Sequence, residues 1–175
     1  MGDMTTTVSA TREGVTTAPV ERAFRIGTPL TPVGFYPRSG PLPAVVAVHD
    51  QTGAWDAPGQ TRRLELSGGG AVVETLVRVE PPGPIDHTGT FVYELTDFRG
   101  PLRLLVRGGI AEWWYSAGGA SDGSTQGRGT RISWRYTFHA RAGAGVAVHA
   151  IVVVFWGPYM NRVLRGIVAE LDRRA

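Results

Sequence analysis

Four side chains of types that move protons stand on segments with strand-like alternation: His49, Asp50, Glu74 and Tyr93. Glu74 lies between Val73 and Thr75 in a run with apolar residues on both faces, so in either register it is a polar group near the interior. Burial penalises the charged form of such a carboxyl, raises its pKa and lets it take a proton near neutrality. The competing assignment is an exposed or arginine-paired strand position. His49 alternates with Val45 and Ala47, whereas Asp50 shares parity with Val46 and Val48, and the sequence leaves open which of the two faces inward. Glu74 is the candidate base, with His49 or Tyr93 as candidate hydrogen-bond donor. Asp86, His87 and His139 read as loop and strand-end groups.

What is missing narrows the chemistry. All 18 basic residues are arginines, so Schiff-base catalysis on lysine is excluded, and with no cysteine there is no thiolate nucleophile, disulfide or thiolate-bound metal. The four histidines, His49, His87, His139 and His149, lack metal-ligand spacing, so no metal is expected. No serine sits in a nucleophile elbow, and Ser67-Gly68-Gly69-Gly70 reads as a hairpin turn rather than a phosphate loop. Any catalysis would be cofactor-free and rest on general acids and bases in a shaped cavity. The formal charge is +3 and the arginines are scattered, which argues against nucleic acid as a partner.

The most apolar stretch, Val146 to Trp156, falls short of the roughly 20 residues needed to span a bilayer and reads as buried in protein, with no membrane span. The N-terminus lacks the basic end and apolar run of a secretory signal, so a cytoplasmic location is expected. At 175 residues and 42% hydrophobic, the chain fits one domain over 1–175, as a monomer or homodimer.

These side chains need a scaffold. Residues 5–12 favour a strand, Pro19 to Gly27 a short helix, and the proline- and glycine-rich stretch 28–43 a loop with one helical turn near Val33 to Tyr36. From residue 44 the period is two: 44–50, 60–66, 71–79, 89–96, 102–116 and 130–139 form an antiparallel meander. In 102–116 the apolar parity changes from Leu102, Leu104 and Val106 to Trp113 and Tyr115, so a bulge is expected at Gly108-Gly109. Arg62, Arg78, Arg103 and Arg107 are expected to point outward. In 158–173, Tyr159, Met160, Val163, Leu164, Ile167, Val168 and Leu171 fall on one helical face. Residues 146–156 are apolar all round and fit a buried strand or a buried helix; a helix would have to kink or break at Gly157-Pro158.

The order strand, short helix, antiparallel strands, long C-terminal helix resembles the SRPBCC superfamily, the START/Bet v 1-like helix-grip proteins, and within it the polyketide cyclase/dehydrase and lipid-transport-like group. Local strings support the likeness: Val48-His49-Asp50-Gln51-Thr52-Gly53-Ala54-Trp55, Phe91-Val92-Tyr93-Glu94-Leu95 and Gly129-Thr130-Arg131-Ile132-Ser133-Trp134. The glycine- and serine-rich insertion at 117–127 is less usual. The resemblance implies an α+β helix-grip fold, a curved antiparallel sheet of six to seven strands wrapped around the C-terminal helix. Trp113, Tyr115, Trp134, Tyr136 and Phe138 would then form an aromatic wall facing that helix, binding ligand or packing the core. The partner implied is a hydrophobic small molecule, aromatic or polyketide-like, either cyclised or dehydrated by Glu74 with His49 or Tyr93, or simply carried.

Overall fold

The computed structural model describes residues 6–85, 87–118 and 129–175; most of the 117–127 insertion and Asp86 lie outside them. Seven antiparallel strands form one sheet in the order β1-β7-β6-β5-β4-β3-β2. They are β1 (Thr7–Thr16), β2 (Val45–His49), β3 (Thr61–Leu66), β4 (Gly70–Glu80), β5 (Thr88–Arg99), β6 (Val106–Ala117) and β7 (Thr130–Ala140). Strands β2 to β7 follow one another as a meander, and β1 closes the far edge by pairing with β7. A short helix, α1 (Val20–Gly27), buries Val20, Ala23 and Phe24.

Alternation sets the faces. Along β7, Ile132, Trp134, Tyr136 and Phe138 are buried and the residues between them are more exposed, and along β6 the buried set is Ala111, Trp113 and Tyr115. The expected parity change in β6 is present. The register shifts between Val106 and Gly108, and residues 101–104 ahead of it form a 3-10 turn rather than strand. Gly109 allows the sheet to close up here, because a Cβ would stand 2.9 Å from the Thr137 carbonyl oxygen.

The C-terminal segment is one continuous helix in three parts: α2 (Gly145–Ile151), a π-helical stretch over Val152–Trp156, and α3 (Gly157–Arg173). Residues 146–156 are therefore helical. The expected break at Gly157-Pro158 is replaced by a wider turn: the Gly157 N–H donates to the Val152 carbonyl, and the shift falls where Pro158, lacking an N–H, interrupts the α ladder anyway. The 29 residues from Gly145 to Arg173 are long and apolar enough to cross a membrane by length and composition. One face, however, is committed to the core through Val148, Val152, Tyr159, Met160, Val163 and Leu164. Polar ties fix the helix to the sheet edge. Arg12 Nε donates to the Gly157 carbonyl at 3.1 Å, and Asp172 Oδ1 accepts from Thr16 Oγ1 at 2.6 Å and from the Thr17 N–H at 2.8 Å.

Candidate functional site

Antiparallel register lays the inward side chains in rows across the sheet. One row runs Arg62, Glu74, Leu95, Gly109, Phe138 from β3 to β7; the next runs Leu76, Tyr93, Ala111, Tyr136 from β4 to β7. Strand β6 contributes only the small Gly109 and Ala111 to these rows, and Arg62, Glu74, Leu95, Phe138, Tyr93 and Tyr136 from the neighbouring strands border the space between sheet and helix. The result is a cavity of about 130 Å³ between sheet and helix. That is close to the roughly 150 Å³ of an apolar cavity that accepts benzene. Among the described residues its lining is apolar apart from one cation, Arg62, one carboxylate, Glu74, the threonines Thr28 and Thr31, and a set of phenols and indoles.

Arg62 and Glu74 face each other directly across β3 and β4, and Arg62 Nε donates to Glu74 Oε2 at 2.6 Å. Both side chains are about 95% buried, with 6% and 5% exposed. The guanidinium also lies over the Trp55 ring, 4.0 Å from its centroid. Trp55 adopts a φ of 63°, a left-handed conformation that a bulky residue rarely takes and that costs about 1–3 kcal/mol. Its indole is buried, so the loop between β2 and β3 carries strain at the residue that covers Arg62. Burial pushes the Glu74 carboxyl above the ordinary glutamate value, against the opposing pull of Arg62.

The phenols of Tyr36, Tyr93 and Tyr136 gather around this pair. Burial is the first cause of their raised pKa values; the Glu74 charge is a further one for all three, and hydrogen bonding from Trp113 and Tyr36 partly offsets the rise at Tyr93. These groups stay protonated through the neutral range and can act as hydrogen-bond donors. On the helix side Tyr159 is pushed up to about 12 by burial, and its ring packs 5.4 Å from Trp156.

Of the residues singled out from the sequence, Glu74, Tyr93, Trp113, Tyr115, Tyr136 and Phe138 line the cavity. Trp134 does not. It stacks on Trp113 at 4.4 Å and an interplanar angle of 12°, is fully buried, and so backs the wall from outside the cavity. His49 is a correction: a register irregularity between Val45 and Ala47 leaves its side chain 40% exposed on the outer face, where Nε2 meets Glu65 Oε2 at 2.8 Å. It cannot be the donor to a cavity ligand from there. Asp50 is also outward, paired with Arg63. Arg78, Arg103 and Arg107 are exposed as expected, but Arg62 points inward. The signal for Arg62 was present, since it shares strand parity with Leu64 and Leu66. Tyr36 and Trp55 lie in loops, where no periodicity marks them.

The seven-stranded sheet and the long helix recur in solved structures. Norcoclaurine synthase from Thalictrum flavum, in complex with dopamine and hydroxybenzaldehyde, matches with a TM-score of 0.60 and 12% identity, covering 97% of this chain and 88% of that one. A point mutant of the same enzyme with a transition-state analogue gives 0.64 and 11%, covering 97% of both chains. Ara h 8.0201 gives 0.55 and 15%, covering 93% of this chain and 99% of that one. The fold is the Bet v 1-like helix-grip fold. No protein-family model and no curated protein matches the sequence. At these identities the helix-grip likeness establishes architecture, and the chemistry has to be argued from the cavity.

Proposed function

We propose that this chain binds a hydrophobic, aromatic or polyketide-like small molecule in the cavity and carries out its cofactor-free cyclisation or dehydration, with Glu74 as general base and Tyr93 as donor. The observation that carries the reading is a buried carboxyl with a raised pKa lining an otherwise apolar cavity, beside phenols that remain protonated. Glu74 would remove a proton from a carbon next to a carbonyl, and the enolate oxygen would accept a hydrogen bond from Tyr93. The enolate carbon would attack a second carbonyl of the same molecule, and the alkoxide so formed would take back the proton held by Glu74. Loss of a second α-proton with that hydroxyl, as water, completes dehydration. General acid–base groups contribute about 10²–10⁴-fold, so Glu74→Gln is expected to lower turnover of a poly-β-ketone substrate at least about 100-fold at unchanged affinity. Full activity in that variant would remove Glu74 as base. Tyr93→Phe should cost less, because water can replace the phenol.

One observation favours a non-catalytic carrier: Arg62 holds Glu74 Oε2 at 2.6 Å and reduces its basicity. Both readings share the binding step. Titrating 2-naphthol should quench tryptophan fluorescence, and Trp113→Leu should weaken its binding roughly three- to tenfold, the worth of one aromatic contact. Trp134→Leu should leave the affinity nearly unchanged, since Trp134 lies behind Trp113. Equal loss in both variants would mean that the wall acts through packing alone.

A further inference from the structure

We propose that the ligand of this cavity carries a carboxylate at one end and that Arg62 is its anchor. The inference rests on the reading above that the cavity holds an apolar aromatic frame, and it adds the chemistry of the frame's polar end.

The guanidinium of Arg62 is held in place on two sides, by the face of Trp55 and by the bond from Nε to Glu74. Among the described residues, Nη1 and Nη2 have no carboxylate, carbonyl or hydroxyl partner, while Arg62 lines the cavity. A fixed guanidinium edge with two parallel donors is the group that a carboxylate meets in a bidentate manner. A wholly apolar ligand would strip water from those nitrogens and give no acceptor in return. An ammonium ligand fares worse: Glu74 is the sole carboxylate in the lining among the described residues, it is already committed to Arg62, and the incoming cation would sit against the guanidinium. The rest of the lining leans the same way. The Trp156 Nε1 donor and the Tyr159 hydroxyl are buried without a partner among the described residues, and the phenols of Tyr36, Tyr93 and Tyr136 keep their protons. The cavity thus offers donors in excess and needs a ligand that brings acceptors.

Glu74 and an incoming carboxylate would share one guanidinium. Removing the negative charge at position 74 should therefore strengthen binding of an acid, an effect opposite to that expected if Glu74 itself gripped the ligand. Four probes with one frame test this on the full chain: n-propylbenzene, 3-phenylpropan-1-ol, 3-phenylpropanoate and 3-phenylpropylammonium, with dissociation constants from calorimetry. The expected order puts 3-phenylpropanoate at least about tenfold tighter than n-propylbenzene, in line with a charge-assisted bond, and the ammonium weakest. Glu74→Gln should bind 3-phenylpropanoate as tightly as the parent or more so. Because Arg62→Met alone leaves a buried carboxyl unpaired, the double variant Arg62→Met/Glu74→Gln removes the pair together. It should keep the n-propylbenzene affinity and lose most of the preference for the acid. Equal affinity for all four probes, tighter binding of the ammonium, or an acid preference that survives in the double variant would overturn the proposal while the cavity reading stands. Failure of every probe to bind would overturn the cavity reading itself.

Discussion

Arg62→Met should destabilise the protein by about 3–5 kcal/mol at neutral pH, the usual cost of removing one partner from a buried ion pair. Both members are about 95% buried, and among the described residues no other cation lines the cavity to replace Arg62. The pH dependence gives the prediction its direction. Burial already holds the Glu74 pKa above its ordinary value of 4.5 in the parent, against the pull of Arg62. A carboxyl whose folded pKa is raised contributes stability that is fully present below its unfolded value and is lost as pH rises through the folded one. Without Arg62 the opposing pull disappears and the folded value climbs further. The variant should therefore regain part of its lost stability as pH falls through the window between the unfolded and the new folded value. Denaturant unfolding of parent, Arg62→Met and Arg62→Met/Glu74→Gln across pH would show it. The double variant should be more stable than the single one at neutral pH and lack its extra slope. A single variant as stable as the parent would mean that the two groups are not buried against one another.

The scaffold was legible where a period is imposed by one buried face. Strands β3 to β7 read out as alternation because their concave side meets the core and their convex side meets solvent, and α3 read out as a 3.6-residue stripe for the same reason. Residues 146–156 defeat that logic. Val148 and Val152 face inward, yet Val146, Val153 and Val154 are exposed apolar residues on the outside, so no polar stripe marks the helix. The site was only half legible. Glu74 was found because both registers of its strand left it near the interior. For Arg62 the parity with Leu64 and Leu66 points inward while its charge points outward, since an arginine is almost never fully buried unless paired; the pairing that settles the matter is set by register across the strands, which the sequence does not state. His49 failed through a bulge near the start of β2, which undoes the simple alternation from Val45. Trp55 and Tyr36 come from irregular loops, and the strained backbone of Trp55 is a property of the folded chain that local composition cannot reveal.

What holds the cavity closed is the helix, and Leu164→Asp is expected to undo that closure. Leu164 is 2% exposed and sits against β1 at Gly14, where an added Cβ would stand 3.2 Å from the Leu164 Cγ and 3.1 Å from Val168 Cγ2. The strand therefore presents bare backbone here, and the Leu164 and Val168 side chains of the helix pack directly on it. Aspartate loses about 1.5–3 kcal/mol of leucine burial. It also places a carboxylate where the nearest partner surface is strand backbone and aliphatic side chain, so that it must ionise at high cost or stay protonated. Together these exceed about 4–5 kcal/mol, the exceptional end of single substitutions and a large part of the roughly 5–15 kcal/mol that holds a domain folded. Leu164→Ala separates the two contributions. It removes burial without adding charge and should cost about 2–5 kcal/mol, leaving a folded protein with a looser roof and weaker binding of 2-naphthol. Thermal unfolding of the three proteins, followed by far-UV circular dichroism, is the measurement. The order parent, Leu164→Ala, Leu164→Asp in falling stability is expected, and an aspartate variant that melts with the parent would mean that α3 does not roof the sheet at this position.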